Sequence, residues 1–243
     1  MDDPLQEKLA IQICSDSEWE STKSLLKIER HRLSPQPFGE WFSYPMDRQE
    51  WIFFQSGAGK TRAAAACQFA PDRWHPQAVI NLGTCGGVSK EIQKGDIILA
   101  DRTIQHDCII RFGDSQAFPY ELMISNIDTC WADMSQVSRK FFRGTIATGD
   151  QDLDEETRKR LQLESRLGGW NILGADWESG AIAKVAELNG LGCLILRGVS
   201  DIPQKSVLGS DVQSADYEKN TPLITERLLE MMSQIRFHFP KTP

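Results

Sequence analysis

Between Gly174 and Asp201 the apolar residues change period, and that change constrains the fold more than any other stretch. Ala181, Ile182, Val185, Ala186 and Leu188 recur at helical spacing, Gly190 and Gly192 interrupt, and Cys193 to Leu196 then run on without a polar break. A helix therefore feeds a buried strand. Polar residues are confined to the ends of this unit, with Asp176, Trp177 and Glu178 where the helix begins and Arg197, Ser200 and Asp201 where the strand runs out. In an open α/β sheet ligands bind beyond the carboxyl ends of strands, so both clusters can face one pocket. Glu178 and Asp201 suit a ligand with hydroxyls to be held and a leaving group to be protonated. Equally, the macrodipole favours Glu178 at a helix N-terminus, and Asp201 can cap the next turn.

Upstream, Leu9 to Cys14 alternates apolar and polar residues and meets Ser15, Asp16 and Ser17, a strand ending at a helix cap. Glu18 falls in the first turn of that helix, where an acid is favoured on dipole grounds alone. Residues 30–50 predict irregular strands and turns. Trp51 to Phe54 predicts a short strand before a glycine turn, Ser56-Gly-Ala-Gly-Lys-Thr61, and an alanine-rich helix. The turn is not a Walker loop, because that pattern needs Gly where Phe54 stands. It places backbone, Ala58 included, near a ligand.

Val79 to Val88 is a strand ending in paired glycines, which let backbone amides approach a ligand closely. Residues 111–140 pattern poorly, with a loop near Gly113 to Pro119 and a helix after it. Phe141 to Thr148 predicts a strand, Gly149 to Leu153 a turn, 155–167 a charged solvated helix, 202–214 a turn-rich segment and 221–236 an amphipathic helix.

A chain of 243 residues with 40% hydrophobic content supports one α/β domain over 1–243. The net charge of −7, without clustered Lys or Arg, argues against nucleic acid. No apolar run reaches the roughly 20 residues that span a bilayer, and the acidic start is unlike a signal peptide. A cytoplasmic protein without membrane association is expected. Six dispersed cysteines read as reduced thiols, and four scattered histidines give no metal-ligand spacing.

D-W-E-S-G-A followed by R-G-V-S-D resembles the E-M-E-x-A and R-x-x-S-D motifs of the nucleoside phosphorylase and nucleosidase family. Gly83-Thr-Cys-Gly-Gly87, Gly95-Asp96 and His106-Asp107 are similar to the run in methylthioadenosine nucleosidases. The resemblance extends from Glu18 to the final helix. It implies a phosphorylase-like three-layer α/β fold with a central mixed, partly barrel-like sheet flanked by helices, and a homodimer. It also implies hydrolysis of the N-glycosidic bond of a purine nucleoside, such as 5'-methylthioadenosine or S-adenosylhomocysteine, without a cofactor.

On that resemblance Asp201, aided by Ser200, protonates the purine. Glu178 binds the ribose hydroxyls, Glu18 activates water and is held by Arg197, and Thr84 lies near ribose and water. Leu153 offers backbone to the base edge. The chain departs from the family at Ser15, where Met is usual, at Asp152, where an aromatic residue packs on the purine, and at Trp177, which replaces Met. Trp177 is either the substitute stacking residue or a core residue. Asp96 and His106-Asp107 serve either the site or turns and a subunit interface. The phosphorylases' phosphate-binding G-D-P-x-R loop is replaced by Ser15 to Glu18, and Asn81 stands in place of their second Arg. A phosphorylase, a nucleosidase for another purine substrate such as futalosine, and a non-catalytic nucleoside binder are the competing readings.

Overall fold

The computed structural model describes residues 7–46, 49–108, 123–203 and 211–239. In chain order these form β1 (Glu7–Ile13), α1 (Asp16–Leu25), β2 (Ser34–Gln36), β3 (Gly39–Met46), β4 (Gln49–Gln55), α2 (Lys60–Trp74), β5 (Ala78–Gly87) and β6 (Ile97–Gln105). Then follow β7 (Ile124–Asn126), β8 (Ala132–Asp133), β9 (Phe142–Thr148), α3 (Glu155–Gly168), β10 (Ile172–Asp176), α4 (Ser179–Leu188), β11 (Gly192–Asp201), α5 (Asp211–Gln234) and β12 (Arg236–Phe237).

One mixed sheet runs β10-β9-β6-β11-β5-β1-β4-β3-β2, with β7 on the edge of β6. β10 also pairs with β5, so β5, β11, β6, β9 and β10 close into a ring. This is the mixed, partly barrel-like sheet that the resemblance implied. Period-two alternation builds the layers on its faces. Leu9, Ile11 and Ile13 of β1 join Ile80 and Leu82 of β5 and Leu194 and Leu196 of β11 under α1 and α5, against Trp19, Ile224 and Leu228. Ala10 and Cys14 point the other way, toward Ala63, Ala66 and Cys67 of α2 and Ile182 of α4.

β1, β4, β5 and β11 run parallel to one another, whereas β6, β9 and β10 run opposite to them. The two sets meet where Gly86 and Gly87 of β5 pair with Ala175 and Gly174 of β10. This meeting brings the carboxyl ends of oppositely directed strands to one place. It needs glycine: a Cβ on Gly174 would stand 2.9 Å from Cys85 Sγ and 3.0 Å from Ile98 Cδ1.

Three local expectations are corrected. The helix foreseen late in 111–140 is absent among the described residues, where 123–140 holds β7, β8 and turns; the Gly113–Pro119 loop lies outside them. Residues 39–46 form a regular strand, because Phe42 packs face to face with Phe53 of β4. α5 begins at Asp211, ten residues before its apolar stripe. The charged helix is as expected, with Leu161 the buried residue of α3.

Gly174→Ala is predicted to retain the fold but cost about 1–3 kcal/mol in chemical denaturation, the penalty of overpacking a tight contact. An unchanged denaturation midpoint would show that the crossing tolerates a side chain.

Candidate active site

The carboxyl ends of β1, β4, β5, β6, β9, β10 and β11, with one residue each from α3 and α5, surround a cavity of about 580 Å³. Its wall includes Ser15, Glu18, Ala58, Thr84, Asp152 and Leu153, together with Trp177, Glu178, Ser200 and Asp201. Of the residues to which the resemblance gave a catalytic or substrate-binding role, Arg197 stands behind this wall rather than on it.

Glu18 satisfies both of its readings at once. It completes a capping box with Ser15, whose Oγ accepts from Glu18 N while Ser15 N donates to Glu18 Oε2. Its other oxygen accepts from Thr84 N at 2.7 Å and from Thr84 Oγ1 at 2.8 Å. With 3% of its surface exposed, the carboxylate is an aimed acceptor on the cavity wall.

The expectation that Arg197 holds Glu18 is corrected. Arg197 is 1% exposed, and its Nε lies 2.7 Å from Asp176 Oδ2 and 3.0 Å from Ser179 Oγ. Nη1 donates to Thr84 O at 3.3 Å, and Nη2 donates to Asn81 Oδ1 at 2.6 Å and lies 3.5 Å from Glu178 Oε2. A buried guanidinium needs a close carboxylate, and β10 delivers Asp176. Arg197 reaches Glu18 only through Thr84.

Asp176 also displaces Glu178 from helix capping. Its carboxylate accepts from Glu178 N at 3.3 Å, Ser179 N and Thr148 Oγ1, whereas Glu178, at the N-cap of α4, makes no side-chain cap bond. Glu178 instead accepts from Gly59 N at 3.0 Å and faces the cavity. Burial pushes its carboxyl up to about 8; the Arg197 cation opposes this and the Asp176 charge adds to it.

Asp201 owes its aim to a bulge. The β5–β11 register shifts between Val199 and Asp201, so Ser200 is the extra residue. Ser200 Oγ donates to Asp201 Oδ1 at 2.6 Å, and Asn220 Nδ2 of α5 donates to Ser200 O at 2.7 Å. In the Gly59-Lys60-Thr61 turn, Lys60 N donates to Asp150 Oδ1 and Lys60 Nζ to Asp107 Oδ1 at 2.6 Å, so Asp107 ties two loops together. Leu153 lies against Gly86, Asp152 is exposed at the rim, and Trp177 is 38% exposed on the cavity wall rather than in the core.

The family model described as Phosphorylase superfamily matches residues 27–235. The chain belongs to that superfamily. It is 28% identical over 205 residues, 80% of this chain and 86% of the relative, to a 5'-methylthioadenosine/S-adenosylhomocysteine nucleosidase of Haemophilus influenzae. Among solved structures it shares its fold with the nucleosidase of that name from Helicobacter pylori bound to butyl-thio-DADMe-Immucillin-A. The TM-score is 0.77 at 18% identity, covering 94% of this chain and 98% of that one. The native futalosine hydrolase of Helicobacter pylori also gives a TM-score of 0.77 at 18% identity, covering 95% and 99%.

Three residues of this superfamily member line the cavity without an assigned role from the sequence. The sequence places Asp176 in the polar cluster at the head of the helix without giving it a part, leaves His106 open between the site and a turn or interface, and does not single out Tyr217. Tyr217 of α5 reaches the wall and donates to Ser15 Oγ at 2.6 Å. His106 lines the cavity with Arg160 Nη2 3.0 Å from its Nδ1; a guanidinium only donates, so the ring proton sits on Nε2. Burial, with the Arg160 cation second, pushes His106 down to about 4 and keeps it neutral.

The Glu178 shift predicts a pH signature. Between the carboxyl's ordinary 4.5 and about 8 the folded chain holds a proton that the unfolded chain has lost, so this contribution to stability falls as pH rises through that window. The melting-temperature difference, wild type minus Glu178→Gln, should therefore decline from pH 5 to pH 8. His106 works in the opposite sense between about 4 and 6.5 but cancels in the difference. A flat difference would mean Glu178 is ionised throughout.

Proposed function

We propose that this chain hydrolyses the N-glycosidic bond of a purine nucleoside, releasing base and free sugar. The observation that carries the reading is the Glu18 carboxylate, fixed by Thr84 and by its own capping box on the wall of the cavity that Glu178 and Asp201 also line. Cleavage of a ribosyl C–N bond makes an oxocarbenium-like sugar and an anionic base. The site must hold the sugar, deliver water and neutralise the leaving group. In our reading Glu18 takes the proton from water, with Thr84 fixing its direction. Glu178 accepts from the ribose 2' and 3' hydroxyls and, in its ionised form, favours the developing cation. Asp201, set by Ser200, protonates the purine N7. Arg197 supports these groups from behind the wall through Asp176, Thr84 and Glu178.

The half-exposed Trp177 offers a face to the purine, with Leu153 and Asp152 at the base edge. 5'-Methylthioadenosine and S-adenosylhomocysteine are the nucleosides named in the relatives, and no cofactor is required because nothing is oxidised or reduced. We also propose a homodimer, the habit of the family, in the cytoplasm. Buried free thiols at Cys14, Cys67, Cys85 and Cys193 are in keeping with that compartment.

Phosphorolysis is the competing chemistry, and Glu18 speaks against it. A phosphate dianion wants guanidinium forks, yet among the described residues that line the cavity none is Lys or Arg, and a carboxylate repels the incoming anion. Asn81, where phosphorylases place an Arg, is occupied in accepting from Arg197.

Asp201→Asn should fold normally and lose about 10²- to 10⁴-fold in turnover, the usual contribution of a positioned proton donor. Wild-type turnover in that variant sinks the assignment. Base release should also proceed at full rate in phosphate-free buffer and yield free sugar. A rate that climbs from near zero with added phosphate, with sugar 1-phosphate as product, assigns the chain to phosphorolysis instead.

A further inference from the structure

Ser15 supports Glu18 through the capping box, but the hydroxyls that Ser15 and Tyr217 present to the cavity have no role in the scheme above. Tyr217 O–H donates to Ser15 Oγ at 2.6 Å, and Ser15 Oγ also accepts from Glu18 N at 3.2 Å. Two hydroxyls thus share one hydrogen bond. Whichever of them donates, one hydroxyl hydrogen and one oxygen lone pair have no partner among the described residues, and both residues line the cavity. Tyr217 is held firmly in place, because the next turn of α5 is fixed by Asn220 to the backbone of Ser200 and by Thr221 Oγ1 to Tyr217 O.

The geometry of a nucleoside says what faces this pair. With the base at Asp201 and Leu153 and the 2' and 3' hydroxyls at Glu178, C5' projects from C4', across the ring oxygen from the base and on the face opposite the two hydroxyls. The wall left for it is the one made by the β1–α1 turn and α5. We infer that Ser15 and Tyr217 form a polar subsite for the 5' position, and that the chain selects nucleosides with a hydrogen-bonding 5' group, a 5'-hydroxyl, over 5'-deoxy and 5'-thioether nucleosides. A primary hydroxyl both donates and accepts, as the pair requires. A thioether sulfur donates nothing, accepts weakly, and strips water from the pair without replacing it. The inference rests on the nucleosidase reading and names its substrate class.

The test measures base release from adenosine, 5'-deoxyadenosine and 5'-methylthioadenosine, and from the matching inosine series, by wild type and Tyr217→Phe. Wild type should favour the 5'-hydroxyl member by on the order of 10-fold in kcat/KM, the size expected when a half-buried polar pair loses its partner. Tyr217→Phe should collapse that ratio toward one. Equal or better cleavage of the methylthio nucleoside by wild type overturns the inference. So does a Tyr217→Phe variant that slows every substrate by the same factor, which makes the tyrosine a support for Glu18. If no nucleoside is cleaved, thermal-shift titration decides. Stronger stabilisation by adenosine or inosine than by its 5'-deoxy analogue keeps the subsite and sinks hydrolysis alone, and equal stabilisation sinks both.

Discussion

The ion pair between Arg197 and Asp176 is the interaction on which the rest of this structure depends. A guanidinium 1% exposed has no water to turn to, so its N–H groups need protein acceptors. They come from two separate parts of the chain: Asp176, Glu178 and Ser179 at the β10–α4 junction, and Thr84 O and Asn81 on β5. Such a pair adds little net stability over apolar packing, but removing one partner costs about 3–5 kcal/mol by stranding the other charge. Its effect is therefore to specify one arrangement of β5, β10 and β11. Gly83 makes room for it, since a Cβ there would lie 2.2 Å from Arg197 Nη1 and 2.9 Å from Glu18 Oε1.

From that arrangement the chemistry of the wall follows. Asp176, pinned by Arg197, caps α4 and leaves Glu178 to face the cavity, where burial keeps its carboxyl proton-rich. Thr84, whose carbonyl is held by the same guanidinium, turns its N–H and hydroxyl toward Glu18. Among the carboxylates that line the cavity, three thus have different surroundings: Glu18 is locked as an acceptor, Glu178 is raised by burial, and Asp201 sits beside a serine hydroxyl. Environments that differ in this way let like groups take different parts in a single reaction.

Much of this was legible in the sequence where the signal is local. The shift from helical to unbroken apolar spacing placed α4 and β11, and the Ser15 to Glu18 cluster announced α1 and its cap. The carboxylates at those ends, Glu18, Glu178 and Asp201, do line one cavity. Where the reading went astray, tertiary contact had overridden pattern. The segment 202–214 read as turn-rich and 215–220 received no assignment, yet α5 begins at Asp211 and is anchored by Tyr217 on Ser15 and Asn220 on Ser200. In 123–140 the poor pattern suggested a helix, but β7 adds to the edge of β6 and β8 pairs with β12, partners that no local window contains.

Asp176 shows most plainly where the boundary runs. Its neighbours Ala175 and Trp177 could say only that an acid sits between a strand and a helix, which is true of many caps. By itself the sequence determined the local units, among them α1, α4 and β11, and the acids at their ends, because spacing, capping and turn chemistry act over about four residues. Only the tertiary structure decided which acid pairs with Arg197, which one caps α4 and which faces the cavity. Those choices depend on the antiparallel meeting of β5 with β10 at Gly86 and Gly174, and strands nearly ninety residues apart carry no local record of their register.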